Sequence, residues 1–241
     1  MKGVFAVTAA LALLCLGGLA QASVLTDDFS DNYANPSLWS FFAAGGPSVV
    51  EVNQRAEVSI PAASAGDPFY AGYLSSFQLR GNFDIQIDYA LLVWPGASGI
   101  RTGFEVLCGG LLRSVQHSNE GGASDYYLVD YGSGATGRVT TSDSSGSLRL
   151  VRSGAILSGY YWHAGGWVSL YAGSVGTDDA RVAFAGWSHD YVFRDKTAKV
   201  AFDNFAVNQG EVVPAVPEPS GVFALLCGIG GIGGTVWRRR K

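Results

Sequence analysis

Cysteine is nearly missing: the 241 residues contain three, Cys15, Cys108 and Cys227. Two of these stand in apolar terminal stretches, so only Cys108 remains in the middle of the chain. No disulfide can therefore close within that middle. Charge is also scarce, at 15% of residues against roughly 25% in an ordinary soluble domain. The three histidines, His117, His163 and His189, never fall at the His-x-x-x-His spacing of a zinc pair. There is no Gly-x-Ser-x-Gly nucleophile elbow and no phosphate loop. No long stretch repeats apolar residues every 3.6 positions, which excludes a helical domain. What is abundant excludes other classes. A hydrophobic content of 48% rules out a disordered chain. The 33 glycines have no three-residue period, which rules out collagen.

The formal charge of -4 understates the acidity of the middle. Setting aside Lys2, Arg238, Arg239, Arg240, Lys241 and Glu218 leaves 11 basic and 19 acidic side chains, a net of -8. Such a surface repels nucleic acid, and no nucleic-acid partner is expected.

The middle, residues 23–213, reads as one all-β domain. Short runs rich in valine, isoleucine and aromatics are broken by Gly, Ser, Asp and Asn. In Phe83-Asp84-Ile85-Gln86-Ile87-Asp88-Tyr89 every odd residue is apolar and every even one polar, the mark of a strand with one dry face. Ser147 to Arg152 begins the same way. Arg152-Ser153-Gly154-Ala155-Ile156 puts a glycine at a tight reversal between two strands. The run from Lys199 to Asn208 predicts a last strand with an irregularity at Asp203-Asn204. Twelve such segments, each with one apolar face, require two antiparallel sheets packed face to face.

The ends differ in composition from the middle. Lys2, the apolar run Val4 to Leu19, and Ala20-Gln21-Ala22 match a secretory signal of residues 1–22, cleaved after the small residues Ala20 and Ala22. At the other end, residues 214–241 contain Pro217-Glu218-Pro219, then an uncharged apolar stretch from 221 to 237, then Arg238-Arg239-Arg240-Lys241. At 1.5 Å per residue that stretch would make a helix of ~25 Å, the short end of a membrane span. Four adjacent cations would keep its far end in the cytoplasm. This tripartite order resembles the bacterial PEP-CTERM sorting signal. The resemblance implies signal peptidase and export machinery as partners, transient anchoring in the inner membrane, and processing by an exosortase-type transpeptidase at Pro217, Glu218 and Pro219. The destination it implies is the cell envelope or extracellular matrix.

The middle also resembles the concanavalin A-like lectin and glucanase sandwich, a jelly roll. The resemblance rests on Leu148 to Gly154, Leu157 to Tyr161, Trp167, Ala201 to Val207, and the opening Asp28-Phe29 followed by Trp39. Glucanases of that family carry two glutamates on one strand, spaced Glu-x-Asp-x-x-Glu, as nucleophile and acid/base. None of the five glutamates of the middle, Glu51, Glu57, Glu105, Glu120 and Glu211, forms this motif. The expected role is therefore non-catalytic: an exported matrix protein with weak extracellular-polysaccharide contact. A secreted glycan-active hydrolase is the alternative.

Aromatic side chains are the leading functional residues. Tyr160, Tyr161, Trp162 and Trp187 are candidate glycan contacts, because exposed rings stack on the apolar faces of sugars. Adjacent Tyr160-Tyr161-Trp162 cannot all face inward on one strand. No cofactor is expected beyond a candidate structural calcium. Asp28 near the start and Asp203 near the end would approach if the first and last strands pair, and carboxylates suit that hard cation.

Overall fold

The computed structural model describes residues 25–62, 69–96, 99–119, 124–132, 134–188 and 196–215. They form fifteen strands: β1 (Leu25–Asp27), β2 (Trp39–Ala44), β3 (Ser48–Val52), β4 (Arg55–Ile60), β5 (Phe69–Ser75), β6 (Phe77–Val93), β7 (Ile100–Cys108), β8 (Leu111–Asn119), β9 (Asp125–Asp130), β10 (Ala135–Thr141), β11 (Ser145–Ser153), β12 (Ile156–His163), β13 (Gly166–Ser174), β14 (Ala180–Ser188) and β15 (Ala198–Pro214). All pairings among them are antiparallel.

Two layers result. Sheet I runs β10-β9-β8-β7-β14-β5-β2, and sheet II runs β13-β12-β11-β6-β15-β4-β3 with β1 added to β15. The layers join where Leu79 of β6 meets Ala180 of β14. Alternation along the strands explains the stacking. Phe83, Ile85, Ile87 and Tyr89 of β6 turn inward and are buried, while Asp84, Gln86 and Asp88 turn outward. Trp39 anchors the core between the layers, with the rings of Tyr73, Phe77, Phe184 and Phe205 set edge-on around it at 4.9–6.4 Å. Its indole N–H donates to Asp27 Oδ2 at 2.8 Å, so the polar edge of the ring is satisfied as the rest is buried.

The sequence-based outline of the sandwich holds at several fine points. Ser153 and Ile156 pair across a two-residue turn in which Gly154 takes a φ of 58°. β15 breaks register between Asp203 and Ala206, where Asn204 has a φ of 50°. Cys108 is buried, as an apolar strand requires. Glu51 and Glu57 are buried, at 7% and 0% exposed. Glu57 lies inside because Arg55 and Lys199 pair with its two carboxylate oxygens.

One expectation requires correction. An N-terminal signal helix and a C-terminal transmembrane helix were expected beside the sandwich. The described residues are built of strands, turns and irregular segments with no α-helix, and among them no helix is long and apolar enough to cross a membrane. Residues 1–24 and 216–241, with Ala20, Ala22, Pro217, Glu218, Pro219, Arg238, Arg239, Arg240 and Lys241, lie outside the described residues. Inner-membrane anchoring, exosortase processing and the export and signal-peptidase partnerships all depended on those helices. With no such helix in the described fold, these readings are withdrawn.

Candidate functional site

The outer face of sheet I is the face turned away from sheet II. Strand register places Glu105 of β7, Ser114 of β8 and Asp130 of β9 in one row. The next row holds Gly103, Gln116 and Leu128, and the one beyond it Arg101, Ser118 and Tyr126. On the other side of β7, Ala183, Ala185 and Trp187 of β14 continue the face, followed by Leu74, Gly72 and Tyr70 of β5. Phe42 of β2 completes it beside Tyr70, their ring centroids 4.6 Å apart.

Small residues make room for large ones here. A Cβ on Gly103 would stand 2.9 Å from both the Trp187 indole and the Gln116 side chain. Trp187 therefore lies across a strand position that has no side chain. Tyr70 meets Trp187 edge-on at 6.1 Å. Its hydroxyl then donates to Glu105 Oε2 at 2.5 Å.

Glu105 is 1% exposed, and its environment sets its chemistry. Burial pushes its pKa up to about 7, the hydrogen bond from Tyr70 works against that shift, and the charge of Asp130 adds to it. Burial and the facing carboxyl of Glu105 together hold the Tyr70 phenol well above its ordinary value, so Tyr70 remains a donor. Polar capacity is left over beside them. Gln116 donates from Nε2 to Ser114 Oγ at 3.0 Å, but its Oε1 and the Ser118 Oγ are buried with no hydrogen-bond partner among the described residues. Buried polar atoms without partners are costly, at roughly 1–3 kcal/mol each, and they mark places where a further group can bind. The ensemble is a protonatable carboxyl, aromatic rings and unused hydrogen-bonding atoms on one rigid sheet.

Of the sequence-derived glycan contacts, only Trp187 belongs to this face. Tyr161 is a core residue, stacked on Tyr127 at 4.4 Å. Tyr160 and Trp162 lie on the outer face of sheet II, on the opposite side of the molecule. His117, buried inside the sandwich, bridges Tyr89 Oη at 3.0 Å and Asp125 Oδ2 at 3.1 Å. His163 is exposed at the end of β12, and His189 lies outside the described residues. Asp28 and Asp203 do approach through the pairing of β1 with β15, where Asp27 faces Phe205. Burial raises the Asp203 pKa, and the charges of Asp88 and Asp28 raise it further. Among the described residues, no group of three or more His, Cys, Asp or Glu side chains is gathered to hold a metal ion.

Sequence reasoning missed Glu105, Tyr70, Gln116 and Ser118 as a group. The available signal was β8 itself, Leu111-Leu112-Arg113-Ser114-Val115-Gln116-His117-Ser118-Asn119, a strand polar on both faces.

No protein-family model matches the chain, and no curated protein matches it in sequence. Solved structures match it in fold. A prokaryotic β-1,3-1,4-glucanase (lichenase) derived from a mouse hindgut metagenome superposes with a TM-score of 0.55 at 12% identity, over 80% of this chain and 99% of that one. A Bacillus licheniformis β-glucanase gives 0.55 at 9% identity, over 77% and 98%. A lectin from Bauhinia forficata in complex with GalNAc gives 0.51 at 11% identity, over 77% and 97%. The likeness is one of fold. It corrects the expectation of a non-catalytic, exosortase-processed envelope or matrix protein, because this sandwich is the framework of glucanases as well as of a lectin.

Proposed function

We propose that the protein hydrolyses glycans on the outer face of sheet I, with Glu105 as the general acid. The observation that carries this reading is the carboxyl of Glu105, kept protonated up to about pH 7 by burial beside Tyr70 and Trp187. A proton donor with a pKa near neutrality suits transfer to a glycosidic oxygen as the bond breaks, a contribution of roughly 10²–10⁴ in rate. The β-glucanases and the lectin that share the fold act on or hold sugars by name, which supports the substrate class.

Glycoside hydrolysis needs a second carboxyl. Asp130 meets that need, on the same face and two strands from Glu105, with only Ser114 between them. Two strand spacings of ~4.8 Å set the two backbone positions ~10 Å apart. Side chains rising from the two ends of that row leave room for a water molecule between their carboxyls, as an inverting mechanism requires. In this mechanism Glu105 gives its proton to the leaving oxygen, and Asp130 takes one from the attacking water.

The test is release of reducing ends from mixed-linkage β-glucan, laminarin, xylan and mucin O-glycans by the purified protein. Turnover of at least one is expected. No turnover of any across pH 4–8 overturns the reading.

A further inference from the structure

The outer face of sheet II carries an arrangement that hydrolysis does not use. Trp162 of β12 pairs with Trp167 of β13, and Tyr160 stands between Arg149 of β11 and Ser169 of β13 in the neighbouring row. Trp162 is 42% exposed, a large fraction for the largest side chain. It is nevertheless held firmly. The Asp84 carboxylate receives Arg149 through Nε at 2.8 Å and through Nη2 as well. The guanidinium so fixed lies 5.3 Å from the Trp167 ring centroid and 5.8 Å from that of Tyr160. Trp167 in turn meets Trp162 edge-on at 5.2 Å and 79°. A carboxylate thus orients an arginine, the arginine a buttressing indole, and that indole an exposed one. Ordering long side chains at a surface costs conformational entropy, and a ring ordered in advance binds without that cost.

The strip continues from these rings across β11, β6 and β15. Asn208 of β15 donates to Gln86 Oε1 at 3.0 Å, so the centre of the face is a row of amides and carboxylates that can bond hydroxyl groups. From β13 to β15 the strip spans four strand spacings, ~19 Å. Its charge selects the occupant. Arg149, the cation beside the rings among the described residues, is neutralised by Asp84, and the domain as a whole is acidic. A polyanion is therefore disfavoured, and an uncharged chain with alternating apolar ring faces and hydroxyl edges fits.

We infer that the outer face of sheet II is a polysaccharide-binding platform for an uncharged glycan chain, with Trp162 as the stacking ring and Asp84, Arg149 and Trp167 as its positioning residues. It lies on the opposite side of the sandwich from Glu105 and stands independently of the hydrolytic reading. Binding here would hold a polymer on the protein without engaging the other face.

The experiment is depletion of the full-length protein by insoluble cellulose, chitin, β-1,3-glucan and xylan, with polygalacturonate as the anionic comparison. The wild type is expected to bind at least one neutral polymer. Trp162→Ala, which removes an exposed side chain and leaves the core intact, should weaken that binding at least tenfold. Asp84→Asn should weaken it severalfold, with an unchanged circular-dichroism spectrum. Tyr33→Ala, at a 65% exposed aromatic away from the strip, should bind as wild type. Retention by none of the neutral polymers, undiminished retention of Trp162→Ala, or retention by polygalacturonate alone would each overturn the inference.

Discussion

Tyr70 donates its hydroxyl to Glu105 across the outer face of sheet I, from β5 to β7, passing the intervening strand β14. The row between them holds Gly72, Ala185 and Gly103, residues too small to obstruct the bond. The contact ties the aromatic side of the face to its acid.

The first consequence is a stability that falls as pH rises. The Glu105 pKa is raised from 4.5 to about 7 in the folded state. A raised carboxyl gives stability that is complete below its unfolded pKa and lost as pH climbs through the folded one. The change corresponds to about 3 kcal/mol between pH 4.5 and neutrality. Glu51 is also raised to about 7, by burial and by the neighbouring Asp31 and Asp27, and acts in the same direction. Thermal melts from pH 5 to pH 8 should show a falling Tm in the wild type and a shallower fall in Glu105→Gln. An equal slope in both would remove Glu105 as a source.

Asp125 gives the opposite dependence on the acid side. Burial raises its pKa, but hydrogen bonds with His117 and Asn119 outweigh burial and leave it lowered. A lowered carboxyl gives stability that is present above its unfolded pKa and lost as pH falls through the folded one. Asp125→Asn should therefore cost stability at neutral pH and little below about pH 3. His117→Ala, which opens a cavity and strips Tyr89 and Asp125 of a partner, should cost about 3 kcal/mol in urea unfolding.

Gly103 holds the space under Trp187. An added methyl would stand 2.9 Å from the indole and 2.8 Å from the Val115 carbonyl. Gly103→Ala should shift the tryptophan emission and destabilise the fold by about 1–3 kcal/mol. A variant with wild-type emission and Tm would mean that the strand relaxes around the added methyl.

The stereochemistry of cleavage follows from the row Glu105–Ser114–Asp130. Two strand spacings leave space for a water between acid and base, so the product should have inverted anomeric configuration. Proton NMR of the first minutes of hydrolysis reads this directly. Retained configuration would exclude Asp130 as the base while leaving Glu105 as acid.

Much of the sandwich was legible in the sequence because its strands have one dry face. Phe83 to Tyr89 announces β6, and Ser153 to Ile156 announces the β11–β12 turn. β8 was not legible, because Ser114, Gln116 and Ser118 occupy one face and His117 and Asn119 the other, so the period-two signal vanishes. The candidate site was hidden for the same reason. Glu105 sits in an apolar run and gains its meaning from partners on β5, β8 and β9, which only the register supplies. Of the aromatic residues picked from sequence, Trp187 belongs to the site face, Tyr160 and Trp162 to the opposite face, and Tyr161 to the core. Their adjacency indicated that the three could not share a face, but not which would be buried.

The central claim is that Glu105 supplies the proton for glycan cleavage. The most direct measurement compares reducing-end release by wild type and Glu105→Gln on the glycan the wild type turns over best, at pH 6, with both proteins shown to be folded by circular dichroism. A loss of at least a hundredfold in kcat is predicted. A rate for Glu105→Gln within a few-fold of wild type would contradict it.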